Sequence, residues 1–325
     1  MTQRPWVARG VANSKGMEMG KLNRHMGDCL RSSWRQTALV LLCVMLAGGL
    51  TARPASAHEK TSLWKVSLHG HTVYLMGSIH LLTAKDYPLD PRLEKAFEEA
   101  EVVAFEIHPD SLESPAAQAY VLRNAMCGEG KTLQSELGDS AWATANAMAE
   151  SLGIDLKMMD PFAPWFVAIT LQVAEMQRMG FDPTLGIDMH FAKKAAAAGK
   201  TAVGLETLEY QLGLFTSLTK AQQRDYLIQT LAELTETEKE LPKILAAWKG
   251  GKLDDIENTM NKRFTDFPEI YERLVTRRNH NWVAEIDRFV VGDKTVLVVV
   301  GVGHMPGKEG LVELLKKKGY TVEQQ

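Results

Sequence analysis

The stretch Lys294-Thr-Val-Leu-Val-Val-Val-Gly-Val-Gly-His304 decides the fold. Its apolar run has the length of a strand, and no polar residue interrupts it between Val296 and Val300. Such a strand is typical of a parallel sheet that is covered on both faces. The run ends in Gly301-Val-Gly-His304, so a histidine follows where the strand leaves the sheet. The stretch therefore predicts an α/β protein with a functional group at the carboxyl edge of its sheet.

A second strand with the same ending lies near the other end of the chain. Thr72–Met76 runs into Gly77-Ser-Ile-His80, and with Ser62–Leu68 it forms a predicted hairpin around His69-Gly70-His71. A loop with proline, a helix and a strand follow each Gly-x-x-His motif, which indicates a weak repeat or a chance recurrence. A glycine three residues before each histidine would let the backbone turn sharply, so that the imidazole folds back over the strand end.

The chain between the two motifs is mainly helical, with two further strands. A helix opened by Pro88-Leu-Asp-Pro91 leads to the strand Val102–Ile107, which gives a βαβ pattern. Another strand, Thr201–Leu205, ends at Glu206. Apolar residues at three- and four-residue spacing predict helices over 132–152, 164–179, 186–198, about 208–290 and 308–318, before a last strand at 320–323. Together these features predict a central mixed sheet with a large helical insert, a lobe at about 130–275.

The N-terminus has the pattern of a secretory signal. Residues 1–36 are basic, the run Thr37–Leu50 is apolar, and Ala55-Ser-Ala57 has small residues where signal peptidase cleaves. Residues 1–57 are therefore interpreted as a signal peptide and residues 58–325 as one α/β domain. The apolar run is shorter than the ~20 residues that span a bilayer, although an uncleaved anchor stays the alternative. We expect a periplasmic or secreted protein that meets the membrane only transiently, through this segment.

Charge and cysteine content narrow the class of protein further. Residues 1–57 carry eight Lys/Arg and only two acids. The formal charge of the mature chain is therefore more negative than the −3 of the whole sequence. An acidic chain with scattered basic residues is a poor partner for nucleic acid. Only Cys127 remains after cleavage, which rules out an intramolecular disulfide.

Four predicted strands end in groups that could carry chemistry. These groups are His80, Glu106, Glu206 and His304. Two imidazoles and one or two carboxylates on a common rim could hold a divalent metal with an open position. Such a metal would lower the pKa of bound water and leave a carboxylate to act as general base.

Other interpretations of these residues compete with the metal site. A single Gly-x-x-His is frequent by chance, and a histidine at a strand end often caps a loop. No H-E-x-x-H or C-x-x-C is present. Gly301-x-Gly303-x-x-x-Gly307 is one residue too long for a dinucleotide fingerprint and lacks further βα units. Arg278 and Asn279, at the start of a predicted helix, form an exposed basic turn or reach the site to orient a substrate.

Taken together, the motifs resemble those of the TraB/PrgY/GumN family, which includes the animal TIKI proteins. The resemblance rests on GSIH at 77–80, AFE ending at Glu106, GLET at 204–207, RRN at 277–279 and VVGVGHMPGKEGLVELLKKKGY ending at 320. It covers about 62–324. The resemblance implies an erythromycin-esterase/ChaN-like α/β fold with the two Gly-x-x-His motifs and a glutamate at the active centre. It also implies a divalent-metal-dependent protease, with manganese or cobalt as the usual metals.

Two functions follow as expectations. The first is an exported metal-dependent hydrolase, a peptidase acting on a peptide or protein, with manganese, cobalt or zinc held by His80, Glu106 and His304. Glu206 would be the general base or a further ligand, and Arg278 and Asn279 would fix the substrate. The second is a binding protein that sequesters a peptide or a haem-like ligand without turnover, in a groove lined by a Met-rich segment at 176–189.

Overall fold

A computed structural model describes residues 60–68, 70–265 and 267–325. The predicted signal peptide, residues 1–57, lies outside the described residues, and so does His69 of the predicted hairpin turn. Within the described part of the chain, no helix combines the length and apolar character that crossing a bilayer requires.

The core of the fold is a six-stranded mixed sheet. Its strands are β1 (Leu63–Leu68), β2 (His71–Ser78), β3 (Val102–Ile107), β4 (Thr201–Glu206), β5 (Val296–Gly301) and β6 (Thr321–Gln324). Their order across the sheet is β4-β3-β5-β2-β1-β6. The first four in this order are parallel, and β1 pairs antiparallel with both β2 and β6. The structure confirms the α/β class, the hairpin and the mixed sheet.

Helices fill the connections between the strands. They are α1 (Pro91–Glu99), α2 (Pro109–Glu113), α3 (Pro115–Ala125), α4 (Leu133–Leu137), α5 (Asp139–Ser151), α6 (Pro164–Arg178), α7 (Ile187–Ala198), α8 (Leu208–Thr216), α9 (Lys220–Lys249), α10 (Leu253–Phe264), α11 (Pro268–Tyr271), α12 (Arg277–Val290) and α13 (Leu311–Lys317). A π-helical turn, Glu272–Thr276, joins α11 to α12. Strand β3 is buried at every residue, because its alternating side chains meet cover on both faces.

The register of the parallel strands brings their carboxyl ends together. Ser78 of β2 pairs with Gly301 of β5, so the two Gly-x-x-His motifs leave the sheet side by side. On the other side of β5, Ile107 at the end of β3 pairs with Glu206 at the end of β4. All four predicted strand-end groups therefore lie along one edge, as expected for parallel neighbours.

The structure differs from the predicted elements in three places. The helix predicted over 132–152 is two helices, because Gly138 between them adopts φ = +77° and interrupts the hydrogen-bonding pattern. Helices α2 and α3 were not predicted, although Pro109 and Pro115 occupy the first helical turn, where proline is favoured. Strands β2 and β3 of the predicted βαβ unit are not neighbours, because β5 lies between them.

The long helix α9 ties the helical part of the chain to the first Gly-x-x-His motif. Near its end, the indole Nε1 of Trp248 donates a hydrogen bond to the carbonyl oxygen of Gly77 at 2.7 Å. The carbonyl oxygen of Trp248 accepts one from the Ser62 hydroxyl, also at 2.7 Å. Trp248 is buried, so these bonds form away from water and hold the end of β2 against α9.

Candidate active site

The end of β5 is the place where three of the predicted groups meet. A Cβ built on Gly301 would lie 3.3 Å from His80 Nε2, 3.3 Å from Glu106 Oε1 and 3.6 Å from His304 Cδ2. The Gly301 amide donates to Glu106 Oε1 at 2.8 Å. Two histidines and a carboxylate thus border the side of Gly301 on which other residues carry a side chain. We call this side of Gly301, together with the three groups around it, the Gly301 niche.

Arg278 of α12 links the remaining group to this niche. Its Nη2 lies 2.5 Å from Glu106 Oε2 and 2.7 Å from Glu206 Oε1, and its Nε also contacts the Glu206 carboxylate. Its Nη1 donates to the Leu274 carbonyl and lies 3.1 Å from His304 Nε2. All five N–H groups of the guanidinium therefore have partners within the protein.

Because the cluster is buried, the charges of Arg278, Glu106 and Glu206 interact strongly with one another. The Arg278 side chain is only 4% exposed, and its guanidinium stacks 4.5 Å from the centre of the Trp282 ring. Burial alone would lower the pKa of Arg278, but the carboxylates of Glu106 and Glu206 outweigh it and raise that pKa. The pKa of Glu206 is also raised, in this case by burial. The charge of Arg278 opposes the increase, and the charge of Glu106 adds to it. One buried cation thus holds two buried carboxyl groups in place.

Asn279 fixes the proton on the ring of His304. Its Nδ2 donates to the carbonyl oxygens of His304 and Glu309, so its Oδ1 must be the acceptor. His304 Nδ1, which lies 2.7 Å from that Oδ1, therefore carries the ring proton. The Nε2 atom has the lone pair and accepts from Arg278. Arg278 and Asn279 therefore hold His304, Glu106 and Glu206, and their role in substrate contact stays a prediction.

The buried ring of His304 predicts a pH dependence of stability. Burial, followed by the positive charge of Arg278, holds the pKa of His304 well below its usual 6.5, and a proton on His80 would lower it further. Below pH 6.5 the unfolded chain therefore takes up a proton that the folded chain does not bind. We expect this residue to lower the free energy of unfolding by about 1.4 kcal/mol per pH unit as the pH falls below about 6.5.

Urea unfolding of the wild type and the His304→Gln variant between pH 5 and 7 measures this effect. The wild type should show the steeper loss of stability on the acid side, because Gln does not titrate. A His304 ring that titrates near pH 6.5 in the folded protein, as observed by NMR, would contradict the argument from burial.

His80 has a different set of partners from His304. Its Nδ1 lies 2.6 Å from Oδ2 of Asp188, at the start of α7, while Oδ1 of that carboxylate accepts from the Ser78 hydroxyl at 2.9 Å. The His80 side chain is 16% exposed, whereas the Glu106 side chain is 4% exposed and His304 is 7% exposed. Of the groups around the niche, His80 is therefore the one with the most access to solvent.

Lack of a side chain, rather than a special turn, explains the glycines of the two motifs. Gly301 has φ = −49°, which any residue can adopt, and Gly77 is also outside the positive-φ region. A Cβ on Gly77 would lie 2.7 Å from Cγ2 of Val302, so the first motif packs directly against the second. The two glycines are therefore not explained by a sharp turn: Gly77 permits close packing against Val302, and Gly301 permits the close approach of His80 and Glu106.

A third glycine sets the distance between α7 and the first motif. A Cβ on Gly186 would lie 2.0 Å from the carbonyl oxygen of His80, and backbone atoms cannot move aside as a flexible side chain can. We expect Gly186→Ala to lower the free energy of unfolding by about 1–3 kcal/mol. The matched control is Gly213→Ala in α8, where a Cβ meets nothing within 4 Å and a gain of about 0.5–1 kcal/mol is expected. Equal effects in urea unfolding would show that α7 does not dock as described.

In this arrangement the donor atoms do not fit a divalent metal. Glu106, Glu206 and His304 Nε2 already contact the Arg278 guanidinium. A metal about 2.0–2.1 Å from His304 Nε2 would lie beside that buried positive charge. Among the residues that the structure describes, no three His, Cys, Asp or Glu side chains form a group able to hold a metal. The assignment of His80, Glu106 and His304 as ligands stays a prediction, and it requires Arg278 to move away.

Three residues of the site were missed by the sequence analysis. Asp188 contacts His80 directly, and Ser78 contacts Asp188. Gln211 Nε2 of α8 donates to Glu106 Oε2 at 3.2 Å. Ser78 lies inside a Gly-x-x-His motif, so its position was a usable signal. The sequence around Asp188 and Gln211 predicts only helices, because their pairing with the sheet edge depends on contacts about a hundred residues away in the chain.

Comparison with known proteins identifies the family of this chain. The model of the TraB/PrgY/gumN family matches residues 62–324. The protein YbaP of Escherichia coli (strain K12) is 22% identical over 243 residues, which cover 75% of this chain and 87% of that protein. YbaP of Shigella flexneri is 23% identical over 248 residues, 76% of this chain and 88% of its own. A Treponema pallidum (strain Nichols) protein is 18% identical over 306 residues, 86% of this chain and 91% of its own.

All three relatives are described only as uncharacterized, so they carry no activity over to this chain. No solved structure matches the chain. The family match nevertheless spans both Gly-x-x-His motifs, the ends of β3 and β4, and the helix that carries Arg278. The chain belongs to the TraB/PrgY/gumN family.

Proposed function

We propose that this protein is a hydrolase, a peptidase that acts on a peptide or protein substrate, with His80 as its general base. One observation carries the proposal. His80 Nε2 and Glu106 Oε1 both lie 3.3 Å from the position that a Cβ on Gly301 would occupy, so they face the same side of that residue, and the His80 side chain is 16% exposed. A water molecule that approaches this side of Gly301 from solvent can therefore contact a base and an acceptor together.

The reaction follows from these contacts. In this proposal, a water in front of Gly301 donates one hydrogen to His80 Nε2 and the other to Glu106 Oε1. When the water oxygen attacks the carbonyl carbon of the substrate, its first proton passes to Nε2, and a tetrahedral intermediate forms. Breakage of the carbon–nitrogen bond then returns this proton to the leaving nitrogen, so His80 ends the cycle neutral. The Glu206 carboxylate contacts Arg278 and the indole nitrogen of Trp282, so we assign the general base to His80 rather than to Glu206.

Activation of water by the predicted metal is an alternative to the His80 mechanism, and it can be tested by measuring metal binding. Manganese, cobalt or zinc bound by His80, Glu106 and His304 would supply an activated water, but only after Arg278 had left Glu106 and His304. Titration of the purified chain with each metal, followed by calorimetry, tests this. Saturable binding that His80→Gln and His304→Gln both abolish would establish the metal site and replace the mechanism above.

The rival function, a binder without turnover, loses one of its supports. Its groove was predicted from the Met-rich segment at 176–189. Met176 is 4% exposed within the hydrophobic core, and Met179 is partly buried against it. Methionines that pack against a core at helical spacing more often fill it than line a ligand groove.

The proposal also covers the location of the protein in the cell, its fold family and its partner. The signal pattern at 1–57 supports export to the periplasm or the outside of the cell, with a membrane anchor if cleavage fails. The family match and the mixed sheet support an erythromycin-esterase/ChaN-like fold. The acidic mature chain argues against a nucleic-acid partner.

The experiment is the digestion of a synthetic peptide library by the purified chain, with mass spectrometry of the products. The His80→Gln variant, purified in the same way, is the negative control, because contaminating proteases would cleave the library in both preparations. Cleavage by the wild type alone supports the proposal, and its persistence in chelator supports the mechanism without a metal. Peptides that stay bound and intact would favour the binder. A library left both uncleaved and unbound would count against both functions.

A further inference from the structure

The first turn of α7 is docked on the turn that carries His80. The amide of Ile187 donates to the carbonyl oxygen of Ile79 at 2.9 Å. Gly186 approaches the His80 carbonyl so closely that no side chain fits between them. The backbone of α7 is thus fixed relative to the motif, and Asp188 follows within the same turn.

Both oxygens of the Asp188 carboxylate are used by residues of that motif. Oδ1 accepts from the hydroxyl of Ser78, which is 1% exposed, and Oδ2 lies 2.6 Å from His80 Nδ1. Two partners at defined positions fix the plane of the carboxylate as well as its location. An ionised carboxylate only accepts hydrogen bonds, so the proton of the neutral His80 ring lies on Nδ1.

We propose that Asp188 is the positioning residue of His80. It holds the imidazole in the Nδ1–H form, so that the lone pair of Nε2 is directed at the Gly301 niche. When His80 takes a proton from water at Nε2, the carboxylate stabilises the imidazolium without taking the proton itself. This inference rests on the proposed function of His80 as general base. Ser78 serves the same arrangement one step further away, by orienting Asp188.

The test is the substitution Asp188→Asn, followed in two ways. Asn keeps the size of the side chain, but its NH₂ can donate to His80 Nδ1 and so favour the Nε2–H form. In ¹⁵N-histidine NMR spectra, the wild type should show His80 protonated at Nδ1, and the variant should shift toward Nε2–H. Cleavage of the library peptides should fall about 10²- to 10⁴-fold in kcat, with KM little changed.

The matched control is Asp182→Asn, six residues earlier. The Asp182 carboxylate caps a short 3-10 turn by accepting from the Thr184 amide, a role that Asn fills equally well. The control should leave the His80 tautomer and cleavage unchanged. Ser78→Ala should retain the Nδ1–H form with a loss of activity under about tenfold, because Asp188 still contacts His80.

The two readouts separate this inference from the proposed function. A wild-type His80 ring protonated at Nε2, or an Asp188→Asn variant with an unchanged tautomer, would overturn the positioning role. A tautomer that shifts as expected, together with cleavage that does not depend on His80, would leave Asp188 as the partner of His80 but refute the general base. Because the NMR measurement needs no substrate, it decides the inference even if no library peptide is cleaved.

Discussion

Arg278→Met is expected to lower the free energy of unfolding by about 3–5 kcal/mol. The guanidinium is buried and is the shared partner of Glu106, Glu206 and the Nε2 atom of His304. Methionine fills a similar volume but leaves two carboxyl groups without a cation in a site that excludes water. The cost is the desolvation of those groups rather than the loss of a surface ion pair, which would be worth about 0–1 kcal/mol.

The neighbouring arginine provides a matched control. The Arg277 side chain is 62% exposed and pairs with Glu272 on the surface. Arg277→Met is therefore expected to change the free energy of unfolding by no more than about 0.5 kcal/mol. Adding Glu106→Gln and Glu206→Gln to Arg278→Met should recover part of the loss, because both buried charges are then removed. Urea unfolding measures all these variants, and equal effects of the two arginine substitutions would refute the buried cluster.

His80→Gln is expected to reduce kcat/KM for peptide cleavage by about 10²- to 10⁴-fold and to leave the fold intact. Glutamine can still accept or donate at the position of the ring, but its amide does not take up a proton near neutral pH. The His80 side chain is 16% exposed, so its replacement by glutamine should cost less stability than the replacement of a fully buried side chain. The expected loss therefore lies in the chemical step and not in the melting temperature.

A second histidine on a carboxylate serves as the control. His190 of α7 lies 2.9 Å from Glu94 through its Nε2, at 24% side-chain exposure, and it does not border the Gly301 niche. His190→Gln should keep wild-type cleavage rates. If His80→Gln retained full activity, the general-base assignment would fail. A loss of the same size in both variants would place the cause in α7, which carries Asp188, rather than in the chemistry of one ring.

Much of the sheet edge was predictable because strand ends have local signatures. The apolar runs before Gly77 and Gly301, and the acids that close β3 and β4, marked where chemistry could lie. The structure places these ends on one edge of one sheet, because parallel strands bring their carboxyl ends to the same side. The order of the strands was not predictable, since it depends on which helices cover which face.

The partners of the four groups were harder to predict than the groups themselves. Arg278 and Asn279 were expected to contact a substrate, yet their hydrogen bonds go to Glu106, Glu206 and His304. An arginine near two glutamates has no sequence signature when the three residues come from β3, β4 and α12. Only packing of α12 over the sheet edge brings them into contact.

The sequence by itself determined the α/β class, the signal pattern, the family resemblance and the candidate groups at the strand ends, because periodicity and short motifs are written in neighbouring residues. The tertiary structure decided that a guanidinium lies at the centre of the cluster, that Asp188 holds His80, and that the niche lies above Gly301. The hydrogen bonds from Arg278 to Glu206 and Glu106, from His80 to Asp188 and from Gly301 to Glu106 join residues 72 to 195 positions apart. Such pairs are set by the free energy of packing the whole chain, which no local pattern records.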